Sequence, residues 1–183
     1  VSTDGAPTIR NSKVTGNISG FQVAGLISTT EGGEIRNSEF SGTLSGNGAG
    51  LVSRSERADI YNSESHGTIT TDGAASGSAA GLVLTISDAV VERSLSTMNV
   101  RVRDPSFSGG VVGGLAGNAS DATIRKSVAT GSVEGEARTS VNAGGLVGEA
   151  DFGTQIEASY ATGSVSGAEN VGGLLGSIKG DAR

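Results

Sequence analysis

The chain has no cysteine and no tryptophan, one histidine and two prolines among 183 residues. Without cysteine there is neither a disulfide staple nor a thiolate metal site, and one histidine cannot supply the common zinc constellations. Neither a metal nor another cofactor is therefore expected. Aromatic residues make up 3% of the chain, too few to suggest platforms for sugar rings. Thirteen basic against nineteen acidic residues give a net charge of −6, which argues against a phosphate-tracking surface and hence against nucleic acid. The most apolar stretch, "AAGLVLTISDAVV", is interrupted by Thr, Ser and Asp and is too short to span a bilayer, so membrane insertion is not expected. The chain opens on Val1 without a start methionine or signal sequence, and the expectation is a piece of something longer.

What the chain has instead is glycine, 31 residues of it, and repetition. Three aliphatic columns recur. The first is Ile9, Ile35, Ile60, Val91, Ile124 and Ile156, and the second is Ile18, Leu44, Ile69, Val100, Val133 and Val165. The third is Leu26, Leu51, Leu82, Leu115, Leu146 and Leu174, each preceded by glycine. From first column to second the step is nine residues in all six repeats, and from third to the next first it is nine, or once ten. From second to third it runs 8, 7, 13, 15, 13 and 9. Two sides of each repeat are fixed and one corner accepts insertions.

Apolar residues at three- and four-residue intervals, which a helix needs, are missing. Short alternating segments such as "GSVEG" and "GTLSG" stand between turn residues. The spacing predicts an all-β fold, a parallel β-solenoid (β-helix) of about six three-faced coils of 25–33 residues, occupying residues 1–183 as a single domain. Variable corners favour a right-handed coil. Each coil has one large inward side chain per face, so none folds alone and each serves as the floor for the next.

The strings "VGGLLGSIKG", "AGGLVGEADFG" and "IEASYATGSVSGAENVGGLLG" resemble the GLUG motif, a glycine-rich repeat of bacterial surface proteins. The resemblance spans almost the whole chain and weakens toward the start, where Ala24, Ala49 and Ala80 replace the first glycine. Met98 departs from a column otherwise held by Gly16, Gly42, Gly67, Gly131 and Gly163. The resemblance implies an extracellular setting among large secreted adhesins, filamentous-haemagglutinin-like proteins and some immunoglobulin A proteases. It brings no catalytic residues, because the HExxH motif of those proteases is absent here.

Ser12, Ser38, Ser63, Ser94, Ser127 and Ser159 share a column, but six serines with one histidine cannot be six triads; stacked hydroxyls bonded at a corner are expected. Asn11, Asn37 and Asn62 should form an amide ladder that ends where Arg93, Lys126 and Ala158 take over. Thr15, Thr97, Thr130 and Thr162 share a column with Ser41 and His66, too irregular for an ice- or sugar-binding array. Glu34 and Asp59 should be neighbours, with Glu92 one coil on and one position later, and no basic partner is evident beside them. Glycoside cleavage needs two carboxylates facing each other across a cleft, so an enzyme is disfavoured.

The insertions are the most informative surface feature. "TDGAASGSA", "RDPSFSGGV" and "EGEARTSVN" fall in consecutive repeats, which predicts loops stacked into one ridge carrying Arg101, Arg103, Asp104, Phe107, Glu134, Glu136 and Arg138. The leading expectation is a structural and adhesive segment of a secreted or cell-surface bacterial protein, a rigid spacer presenting loops to a host or neighbouring-cell surface protein or glycan. The alternative is a carbohydrate-binding or carbohydrate-active β-helix. Neither end carries an evident cap over its strand edges, so further repeats, or copies stacked end to end, are expected there.

Overall fold

The computed structural model describes residues 7–72, 77–167 and 169–180, without the side chains of residues 72, 104–108 and 136–140. The described strands form two curled sheets, one of ten strands and one of eleven, in which all pairings are parallel. The ten-stranded sheet holds the first column, Ile9 paired with Ile35, Ile35 with Ile60, Ile60 with Val91, Val91 with Ile124 and Ile124 with Ile156. The eleven-stranded sheet holds the second column in the same unbroken way, from Ile18 through Leu44, Ile69, Val100 and Val133 to Val165. The leucines of the third column are linked N–H to carbonyl, from Leu26 to Leu51 and onward to Leu174. Side chains of all three columns meet in one core, fully buried from Leu44 to Leu146.

Each turn of the chain bends at residues with positive φ. One bend is Asn11, Asn37, Asn62, Arg93, Lys126 and Ala158, with φ between 46° and 51°. Asparagine tolerates this left-handed conformation better than most residues. The asparagines are thus explained by the backbone as well as by the side-chain hydrogen bond from Asn37 Nδ2 to Asn11 Oδ1 at 3.2 Å. A second bend falls at Gly32, Arg57, Asp88, Asp121 and Gly153.

The serine after each first bend closes the corner. Each hydroxyl donates to the carbonyl two residues back, as Ser63 does to Tyr61 at 2.8 Å and Ser94 to Glu92 at 3.1 Å. Its oxygen accepts the N–H of the serine one turn earlier, Ser38 to Ser63 at 3.2 Å and Ser94 to Ser127 at 3.2 Å. The expected hydroxyl ladder is therefore present from Ser12 to Ser159.

The third bend is a tight elbow at the glycine pair before each leucine. A methyl group on Gly114 would strike the carbonyl of Gly145, and one on Gly145 the carbonyl of Gly173. A methyl on Gly113, Gly144 or Gly172 would strike the carbonyl three residues on. Where Ala49 and Ala80 stand at that first position, they pack with Leu84 and Val111 in a small second cluster. Met98, where the glycine column is broken, turns inward and is fully buried.

Candidate functional site

The insertions differ from the loops expected of them. Strand Asn99–Gly113 and strand Val133–Gly144 run through two of the three insertions and pair with each other along both legs, with a shift in register between Asp104 and Ser108. Insertions at the same corner of adjacent turns satisfy one another's backbone groups, so the chain there is strand. Part of the first insertion, residues 73–76, lies outside the described residues.

The register brings Arg101 opposite Glu134, Arg103 opposite Glu136 and Asp104 opposite Ala137. Arg101 also lies opposite Thr70, and Arg103 opposite Asp72, in the preceding turn. Arg101 grips the Glu134 carboxylate with both ends of its guanidinium, Nε to Oε2 at 2.6 Å and Nη2 to Oε1 at 3.0 Å. That hydrogen bonding, helped by the charges of Arg101 and Arg103, outweighs desolvation and holds the Glu134 carboxyl below its usual range. The side chains of Asp104, Phe107, Glu136 and Arg138 lie outside the described residues.

The ridge strand Val133–Gly144 ends at the elbow Gly144, Gly145 and Leu146, and the chain continues through Ile156 and Ser159 to Val165. Residues 139–166 match the family model of the GLUG motif. No curated protein sequence matches the chain. The GLUG match takes in an elbow, a first-column residue, a serine corner and a second-column residue, close to one full turn of the coil. Gly144 and Gly145 of the matched segment stand where the elbow leaves no room for a side chain.

The carboxylates weighed as a hydrolytic pair have basic and phenolic partners that sequence reasoning did not foresee. Glu34 and Asp59 are opposite each other on adjacent strands of one sheet, not across a cleft. Glu34 is paired with Arg36 and, at 3.2 Å, with Arg10; hydrogen bonding from Arg36 is the main cause that lowers its pKa. Arg36 also stacks on the ring of Tyr61 at 4.0 Å, and the Tyr61 hydroxyl donates to Asp59 Oδ2 at 2.9 Å. Asp59 Oδ1 accepts the backbone N–H of Val90 at 2.8 Å. Glu92 is met by Arg125 at 2.8 Å, Arg93 at 3.2 Å and Lys126 at 3.9 Å. A general acid needs a raised carboxyl pKa, and those of Glu34 and Glu92 are lowered. The signal was in the sequence: Arg10, Arg36, Tyr61, Glu92, Arg125 and Glu157 form the outward column just past the first.

His66 joins the threonine column, its Nδ1 2.9 Å from Thr97 Oγ1 and its Nε2 3.1 Å from Glu64 Oε2. Among the described residues no group of three or more His, Asp and Glu side chains could hold a metal ion, and no helix is long and apolar enough to cross a membrane.

Proposed function

We propose that this chain is a rigid spacer and adhesive segment of a secreted or cell-surface bacterial protein, whose side ridge meets a protein or glycan on a host or neighbouring cell. The observation that carries the reading is the unbroken register. Three core columns and one serine ladder run parallel from turn to turn without a slip, so the coil is stiff along its length. On one side of that rod the two long inserted strands stand together, cross-linked by Arg101 and Glu134. The match to the GLUG motif, associated with bacterial surface proteins of adhesin type, supports an extracellular setting.

The reading takes the coil as right-handed, with about six three-faced turns, since two positive-φ bends and the glycine elbow divide each turn into three runs. It takes residues 1–183 as one solenoid domain of a longer protein. Val171, Leu174 and Ile178 are exposed on the last described turn, which suits a further turn supplied by the chain's continuation or by a second copy. The role is binding rather than catalysis, without cofactor, nucleic acid or membrane insertion.

Replacing Arg103 and Phe107 together by alanine tests the ridge. The double variant should keep the wild-type circular dichroism spectrum and melting temperature while losing adherence to cell monolayers or glycan-coated surfaces. Wild-type adherence by that variant removes the ridge from the binding function.

A further inference from the structure

A groove of about 420 Å³ lies at the foot of the ridge, and the insertion lengths explain it. The second-to-third-column span is 15 residues in the turn of Val100, 13 in that of Val133 and 9 in that of Val165. The ridge therefore ends abruptly, and the short last turn forms the floor of the step. The returning leg of the ridge, Gly109 to Val111, lines the groove together with Glu169, Ser177 and Lys179.

A relay of hydrogen bonds crosses the floor. Asn170 Nδ2 donates to Asn142 Oδ1 at 2.8 Å, and Asn142 Nδ2 donates to Glu149 Oε2 at 2.6 Å. Lys179 Nζ donates to the other oxygen, Glu149 Oε1, at 2.8 Å. Glu149 is only 4% exposed, and both of its oxygens are engaged. In return its carboxylate holds the Lys179 ammonium above the usual lysine range.

The relay fixes what the groove offers. With one of its two amide N–H groups committed to Asn142, exposed Asn170 presents its Oδ1 as an acceptor and its second N–H as a donor. Lys179 has further N–H donors, and Ser177 has a hydroxyl that can both donate and accept. Acceptors and donors thus stand side by side in a groove whose one buried charge is paired with Lys179 and whose other carboxylate, Glu169, is exposed to solvent. A hydroxyl group, donor and acceptor at once, matches such a wall better than an ion does. Asn142 and Asn170 also occupy the same position on successive turns, about 4.8 Å apart along the axis, so an elongated ligand meets the same amide twice. The net charge of −6 disfavours polyanions.

We infer that this groove binds an uncharged, polyhydroxylated chain, a neutral oligosaccharide laid along the solenoid axis. The inference rests on the adhesive reading and gives it a ligand class and a site separate from Arg103, which does not line the groove. Among the described residues no aromatic ring lines the groove, so each sugar unit is held weakly and affinity grows with chain length.

The test is titration of the whole chain with neutral cello-, malto- and chito-oligosaccharides of increasing length, followed by amide chemical shifts. At least one series should bind, more tightly as it lengthens, with shifts concentrated at Asn142, Asn170, Ser177 and Lys179. Asn170→Ala, at an exposed position, should keep the melting temperature and weaken binding about tenfold, as loss of a hydrogen bond does. Arg103→Ala alone should bind these sugars as the wild type does. No binding by any series, binding indifferent to Asn170→Ala, or tighter salt-sensitive binding of a sulfated oligosaccharide would each overturn the inference. Adherence to cells without any oligosaccharide binding removes the groove proposal alone. Oligosaccharide binding without adherence removes the adhesive reading and leaves the groove.

Discussion

Arg125 reaches across from one turn to the next and places Nη2 2.8 Å from Glu92 Oε2. Glu92 has a side chain only 8% exposed, and Arg93 and Lys126 also stand within 4 Å of it. The hydrogen bond from Arg125 is the main cause of its lowered pKa, followed, against the desolvation that raises it, by the charges of all three cations. The same sign holds for Glu34 beside Arg36 and Glu134 beside Arg101. A carboxyl whose folded pKa is lowered contributes stability that is complete above its unfolded value, about 4.3, and is lost as pH falls through the folded value. Urea unfolding should therefore give stability that falls steeply below about pH 4. Glu92→Gln should flatten that fall, and an identical slope would mean that the Glu92 cluster contributes nothing.

Leu115 is fully buried in the third column. Leu115→Ala should cost about 2–5 kcal/mol, as buried leucine truncations do. Denaturant midpoints measure it, and an unchanged midpoint would place this column outside the core.

Ser127 donates to the Arg125 carbonyl at 3.0 Å and accepts from Ser94 N–H at 3.2 Å. Ser127→Ala leaves both backbone groups without their partner in a buried corner and should cost about 1–3 kcal/mol. Hydrogen exchange at the Ser94 amide should rise with it. Unaltered protection there would show that the hydroxyl ladder is decorative.

Gly145 and Gly173 occupy the same elbow position in successive turns, but a methyl group meets the Gly173 carbonyl in the first case and nothing within 4 Å in the second. Gly145→Ala should destabilise by about 1–3 kcal/mol, as overpacking does. Gly173→Ala should stay within about 0.5 kcal/mol of the parent. Equal melting temperatures for the two variants would refute the elbow contact.

Val171, Leu174 and Ile178 are 48%, 41% and 76% exposed on the last described turn. Open strand edges and exposed apolar groups favour association, so this chain should self-associate with rising concentration in sedimentation velocity. Leu174→Glu together with Ile178→Lys should suppress it. A clean monomer of the unaltered chain at high concentration would argue against stacking through this edge.

Much of this fold was legible because a solenoid's strand register equals its sequence period. Ile60 stands beside Val91 and Ser63 beside Ser94 for the same reason that they align when the repeats are written under one another. The columns, the serine ladder, the asparagine positions and the glycines of the GLUG-like elbow are therefore properties of the sequence by itself. Other features were decided only by the tertiary structure. Met98, which departs from its glycine column, becomes core, because the direction of a side chain at a bend depends on backbone angles that a column does not record. The inserted strands pair instead of looping, because their backbone groups find partners only once two turns are stacked. The contact of Asn142 with Glu149 joins residues through side-chain reach across an elbow, whereas those of Glu92 with Arg125 and Arg36 with Tyr61 follow the register. Periodicity fixes which backbones are neighbours, but rotamers and the local step in insertion length fix which side chains meet.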